Sequence, residues 1–123
     1  MKYLSEELLL QYLKLGKPVE QWLGSENRSD YTIIKWLRIE REKNGNYSVV
    51  FFEAFDEGNE DFLDIYEFSS TDPDIPYGKI DSFEDSNEAL VYTLVEYGCK
   101  KDRFVNAGMI QEEYREYLSS KGG

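Results

Sequence analysis

Histidine is absent from this sequence of 123 residues, and cysteine occurs once, at Cys99. Without histidine, every catalytic dyad or triad built on imidazole is excluded, a Cys–His pair around Cys99 included. No remaining side chain has an ordinary pKa near neutrality, and no hydrolase or transferase activity is expected. One cysteine supplies no zinc ligand set. It also cannot close an internal disulfide, so nothing ties the chain to an oxidising compartment. No apolar run approaches the ~20 residues that span a bilayer. The start, Met1 to Glu7, lacks a signal peptide's apolar stretch and cleavage site. The expectation is a cytoplasmic protein with no membrane partner.

Phosphate-binding glycine patterns are missing too. Gly45, Gly58, Gly78, Gly98 and Gly108 read as turn or helix-end residues. There is no internal repeat and no low-complexity tract. What is present is a chain with 41% hydrophobic and 15% aromatic residues, rich enough to close a core at a length that suits one domain. That single domain is expected to cover residues 1–123.

Residues 5–15 read as an amphipathic helix. Ser5 caps it, Glu6 and Glu7 suit the positive end of its dipole, and Gly16 offers a left-handed stop. Pro18 is expected to open a second turn through Trp22 and Leu23, with Gly24 to Asp30 as a polar loop. Tyr31 to Glu42 and Tyr47 to Asp56 are strands rich in β-branched and aromatic residues, joined at Asn44-Gly45. As a two-residue type I′ turn, that dipeptide makes paired residue numbers sum to 89. Leu37 then faces Phe52 and Ile39 faces Val50 on one side. Ile34 faces Phe55, Trp36 faces Glu53 and Arg38 faces Phe51 on the other.

Phe62 to Phe68 reads as a third strand, and Lys79 to Phe83 as a short edge strand. Asp85 with Glu88 starts a helix that runs through Tyr97 and stops at Gly98. Phe104 to Gly108 reads as a turn, and a last helix runs from about Met109 to Leu118 with Ile110, Tyr114, Tyr117 and Leu118 inward. The class is α+β: a three- to four-stranded antiparallel meander, with an N-terminal helix and two C-terminal helices on one face. The other face keeps Ile34, Trp36, Phe51 and Phe55, and needs more protein or a partner.

Basic residues are scarce in the middle of the chain. Residues 44–99 carry 14 acids against one base, Lys79, while residues 1–43 carry 8 bases and 7 acids and residues 100–123 carry 5 and 4. The net charge of −11 is therefore concentrated in one segment. Such a field speeds capture of a basic partner and repels nucleic acid. Lys100, Lys101 and Arg103 are too few and too outweighed to bind it.

The candidate partner-binding set is Trp36, Phe51, Glu53, Phe55, Asp56, Glu57, Glu60, Asp61 and Asp64. These aromatics beside carboxylates are what an interface for a cationic protein requires. The acidity also has a bland explanation, as a solubilising surface for an aromatic-rich fold. The oxygen-rich stretch Asp56 to Asp61 with Asp64 departs from the EF-hand spacing, so no metal and no cofactor is expected. A glycosidase-like acid pair would need a buried carboxyl and a cleft, which a small meander seldom provides. Cys99 follows a helix stop and precedes Lys100 and Lys101, an arrangement that lowers a thiol pKa; the blander expectation is a small semi-buried residue.

In its general character, small, acidic and free of histidine, the chain is similar to bacterial toxin-immunity proteins and nucleic-acid mimics. The likeness is one of composition and transfers no site. The leading expectation is a non-enzymatic binding protein, most concretely of the immunity or inhibitor type, that turns its acidic sheet region to a basic protein. The alternative is a small regulatory or accessory domain whose acidity is incidental and whose partner docks on apolar helices.

Overall fold

A computed structural model describes residues 3–59, 61–75 and 78–122. Helix α1 spans Glu6–Leu15 and starts as the sequence implies, with the Ser5 hydroxyl accepting the Leu8 N–H and Gly16 closing it at φ 76°. Its apolar positions Leu9 and Leu13 lie one turn apart and are buried. Each contributes roughly 1.5–3 kcal/mol by leaving water. The Tyr47 hydroxyl donates to the Leu13 carbonyl at 2.8 Å, a second donor beside the Gly16 N–H at 3.2 Å, and so ties the chain at Tyr47 to the end of α1.

Five strands follow in one antiparallel sheet: β1 Val19–Asn27, β2 Thr32–Arg41, β3 Tyr47–Phe55, β4 Lys79–Phe83 and β5 Val105–Asn106. Their order across the sheet is β4-β3-β2-β1-β5, which puts β2 at the centre. Helix α2, Ser86–Glu96, starts with Asp85 accepting the Asn87 N–H, and helix α3, Ile110–Gly122, ends the chain. No helix among the described residues is long and apolar enough to cross a membrane.

Several sequence expectations are corrected. No helical turn follows Pro18: Val19 to Leu23 start β1, which also takes in residues up to Asn27 of the expected loop. The Gln21 amide is one reason: it donates to the Lys100 carbonyl at 2.9 Å and accepts the Lys100 N–H at 2.9 Å. A buried polar side chain is thereby paired much as a strand neighbour would be. Phe62 to Phe68 is not a strand. Its apolar residues fall three apart, and Ile65–Glu67 form a 3₁₀ turn that points Ile65 and Phe68 inward. Within the expected turn at residues 104–108, Val105 and Asn106 pair with Glu20 and Val19.

The β2–β3 register is also shifted by one from the expected one. Trp36 faces Phe52, Leu37 faces Phe51 and Ile39 faces Val49, so the pairs sum to 88. The turn explains it. Gly45 donates its N–H to the Glu42 carbonyl and Glu42 pairs with Asn46, so the loop holds three residues, Lys43, Asn44 and Gly45. Only Gly45 has positive φ there, at 91°. This is a type I turn followed by a left-handed glycine, not type I′. One residue of slip moves every β3 side chain to the opposite face.

Both faces of the sheet are covered. Leu9, Leu13, Val19, Leu37, Ile39, Val49 and Leu90 form one core under α1 and α2. Ile34, Trp36 and Ala54 form another with Ile65, Phe68, Ile110 and Tyr114. The three helices therefore do not share a face: α3 and the 3₁₀ segment cover the side left open in the sequence reading.

Candidate functional site

The second face is not filled completely. Arg38 and Glu40 follow Trp36 along β2 at alternate positions, Val50 and Phe52 lie beside them on β3, and Val50 pairs with Ile80 of β4. Over this patch Ile65, Tyr66 and Phe68 rise on one side, and Ser70 and Gly78 on another. Together they enclose a cavity of about 410 Å³, within the size range of ligand pockets. Trp36 stacks on Phe52, with ring centroids 5.0 Å apart and planes 12° apart.

One wall is fixed by a buried charge. Glu20 on β1 pairs with Arg38 and is 0% exposed. Arg38 donates Nε–H to Glu20 Oε2 at 3.2 Å, and its Nη2 lies 3.2 Å from the same oxygen. The Tyr66 hydroxyl donates to the carboxylate at 2.6–2.7 Å, and the Gly108 N–H donates to it at 2.9 Å. The Arg38 guanidinium also lies 5.3 Å from the centroids of both Phe52 and Tyr66, a cation–π arrangement. Burial works against the Arg38 charge, but the Glu20 carboxylate and the Tyr66 hydroxyl outweigh it and hold the pKa above its ordinary value. The guanidinium therefore stays charged, and the Glu20 oxygens are committed to three donors. This cluster positions the cavity wall; it does not present a base to a substrate.

The residues expected to form an acidic interface are dispersed. Trp36 is 2% exposed and belongs to the cavity wall. Phe51 lies on the opposite face, stacked on Tyr97 at 4.8 Å, and Phe55 meets Tyr31 edge-on at 5.3 Å. Glu53 borders the cavity, accepting from the Thr71 hydroxyl at 2.8 Å with Lys35 at 3.8 Å. Asp56 accepts from the Tyr114 hydroxyl and, at 3.2 Å, from Tyr117. Glu57 accepts the Ser69 N–H at 2.6 Å and its hydroxyl at 3.1 Å. These three acids are each engaged by hydroxyl or N–H donors of the fold.

Asp61 is exposed, in a turn where its N–H bonds to the Asn59 side chain. Asp64 is half-buried, and its Oδ1 has no hydrogen-bond partner among the described residues. Glu60 lies outside the described residues. Among the described residues no group of three or more acids or thiols is placed to hold a metal. Glu20, Arg38, Phe52 and Tyr66 were not in the expected set. The available signal was parity: Arg38 lies two residues from Trp36 and so must share its side of the strand.

Burial decides the titration behaviour. Cys99 is buried, and its thiol is pushed up to about 12, so the neighbouring lysines do not activate it. Burial, followed by the bond to Asp56, raises the Tyr114 pKa above its ordinary 10. Burial and then Glu20 do the same for Tyr66. A group whose pKa is raised on folding contributes stability that is complete below its unfolded pKa and lost as pH climbs towards the folded value. Stability should therefore fall from about pH 10 upward. An absorbance titration at the phenolate band should show these tyrosines ionising in one step with loss of near-ultraviolet circular dichroism. Smooth ionisation near pH 10 with the fold intact would contradict the assignment.

No protein-family model matches this chain, and comparisons with curated proteins and with solved structures give no match.

Proposed function

We propose that this protein is a non-enzymatic binding protein that meets a basic protein with its acidic side, an immunity or inhibitor role being the most concrete form. One observation carries the reading. The ion pairs among the described residues use Glu6, Glu20, Glu26, Glu40, Glu53 and Glu112, and none uses an acid between residues 57 and 99. Asp61, Glu67, Asp72, Asp74, Glu84 and Glu88 are instead exposed. Carboxylates left without cations sustain a field that reaches ~8 Å at physiological ionic strength. That field raises the rate at which a cationic surface is captured.

A second reading, an accessory domain docking through its helices, is favoured by the exposed Leu15 of α1 and Val95 of α2. The two differ in salt dependence. A partner is isolated from the source cells, and association is followed against ionic strength for the wild type and for Asp61→Lys/Glu67→Lys/Asp74→Lys. Charge recognition predicts a wild-type rate that falls with salt, and a variant at least ~10-fold slower at low salt. Apolar docking predicts equal rates for both proteins at every salt concentration, and that outcome would end the charge reading.

A further inference from the structure

The two edges of the sheet differ. At the β5 end, Tyr3 bridges to Val105 and the Leu4 N–H donates to the Phe104 carbonyl at 2.8 Å, so the outer side of the short β5 is met by the segment before α1, while β1 beyond Glu20 pairs with β2 alone. At the other end β4 pairs with β3 alone, and no described strand lies on its outer side. An edge strand left this way presents a row of N–H and C=O groups that templates another chain. We propose that β4 is the edge to which an extended, basic segment of the partner adds as a sixth strand. This rests on the charge reading above and specifies where and how the partner binds.

Three observations choose that occupant. First, the cavity lies beside the edge. Ile80, 58% exposed, lines it together with its β3 partner Val50 and with Gly78. An added strand lies 4.7–4.9 Å further out. Its residue on the cavity side of the sheet, next to Ile80, therefore sits at the mouth. Strand addition takes affinity from main-chain bonds and specificity from pockets for alternate side chains.

Second, the cavity suits a long cationic side chain. Its walls are Phe52, Val50 and Ile65, which pack a hydrocarbon stem, while Glu40 is the acid on the same face as Trp36 and Arg38; Glu53, next to Phe52, turns its carboxylate to Lys35 and Thr71 on the other face. Its one cation, Arg38, is already held by Glu20 and by Glu40 at 3.8 Å. Lysine and arginine bury their stems and keep their heads at such polar rims.

Third, the surrounding charge opposes self-pairing. Asp81 within β4 and the exposed Glu84 and Asp85 after it outnumber Lys79. Two copies would each bring a net charge of −11 to the same edge. A basic strand is attracted where a second copy is repelled.

The test uses a ten-residue alternating Lys/Val peptide, the same peptide methylated at alternate backbone nitrogens, and a Glu/Val peptide. Binding is read by amide hydrogen exchange over residues 79–83 and by the Ile80 and Val50 methyl resonances. The Lys/Val peptide should slow exchange of the outward β4 amides at least tenfold and shift both methyls. The methylated peptide should bind at least tenfold more weakly, and the Glu/Val peptide not at all.

Unchanged exchange over 79–83, equal affinity for the methylated peptide, or no binding of the Lys/Val peptide would overturn the inference. So would sedimentation of the free protein as a dimer with β4 already protected. If the isolated partner still associates with the expected salt dependence, strand addition alone has failed. If its association is also insensitive to salt, the charge reading has failed as well.

Discussion

Arg38→Ala should destabilise the fold by about 3–5 kcal/mol, because it leaves a carboxylate buried without its cation. With Arg38 in place Glu20 is 0% exposed, and the guanidinium is the cation that pairs with it. Tyr66 and Gly108 would still donate to it, but two neutral donors do not balance a charge in a medium of low polarisability. The same substitution removes the cation–π contacts to Phe52 and Tyr66, each worth ~0.5–1 kcal/mol where exposed and more where desolvated.

The diagnostic is a double variant. In Glu20→Gln/Arg38→Ala the side chain at position 20 is neutral, and its amide oxygen can still accept from Tyr66 and Gly108. Much of the lost stability should return, and urea unfolding of the two variants measures the difference. An Arg38→Ala cost below ~1 kcal/mol, or a double variant weaker than the single one, would show that Glu20 does not depend on Arg38.

That cluster also shows why parts of the molecule were hard to read. A strand facing an apolar core should alternate in polarity, and Val19-Glu20-Gln21-Trp22 does not. Its two polar residues are buried because each finds partners distant in sequence: Arg38 and Tyr66 for Glu20, and Lys100 for Gln21. Nothing local announces those partners, so Pro18 and the short apolar pair Trp22-Leu23 suggested a turn. Elements whose signals are local came through as expected. The Ser5 and Asp85 caps, the Gly16 stop and the edge strand at Lys79 to Phe83 depend on residues a few positions apart.

The hairpin lies between these cases. Asn44-Gly45 correctly marked the reversal, but two-residue and three-residue loops share that dipeptide. The choice between them set the face of Phe51. Placed on the side of Trp36, Phe51 left an open aromatic surface; in the fold it is half-buried and stacked on Tyr97, on the opposite face. The acids were misgrouped for a related reason. Glu53, Asp56 and Glu57 stand next to aromatic strand residues in sequence, yet Thr71, Tyr114 and Ser69 occupy them in space. The exposed acids are largely later in the chain.

Gly58→Ala is the other substitution expected to have a large effect, and its reason is space, since Gly58 is not among the glycines with positive φ. A Cβ there would run into the ring of Phe68, and would lie 2.5 Å from the Phe62 carbonyl oxygen and 2.6 Å from the Tyr114 hydroxyl. None of the three can yield alone. Phe68 packs edge-on against Tyr114 at 5.4 Å, the Tyr114 hydroxyl is bound to Asp56, and the carbonyl is main chain, bonded to the Asn59 N–H at 3.2 Å. Overpacking of this kind costs ~1–3 kcal/mol and occasionally more; three constrained neighbours place Gly58→Ala near ~3 kcal/mol.

Adding Phe68→Leu shortens the nearest obstacle and should recover part of that loss, although Phe68→Leu alone is destabilising. Such non-additivity is the signature of a shared steric contact, and equilibrium unfolding of the four proteins reveals it. Wild-type stability in Gly58→Ala would mean that the segment relaxes freely. The consequence reaches the proposed binding site, because Ile65, Tyr66 and Phe68 of this segment form one wall of the cavity. Gly58→Ala should therefore weaken capture of a basic partner through faster dissociation, with the salt dependence of association unchanged, since it alters no charge.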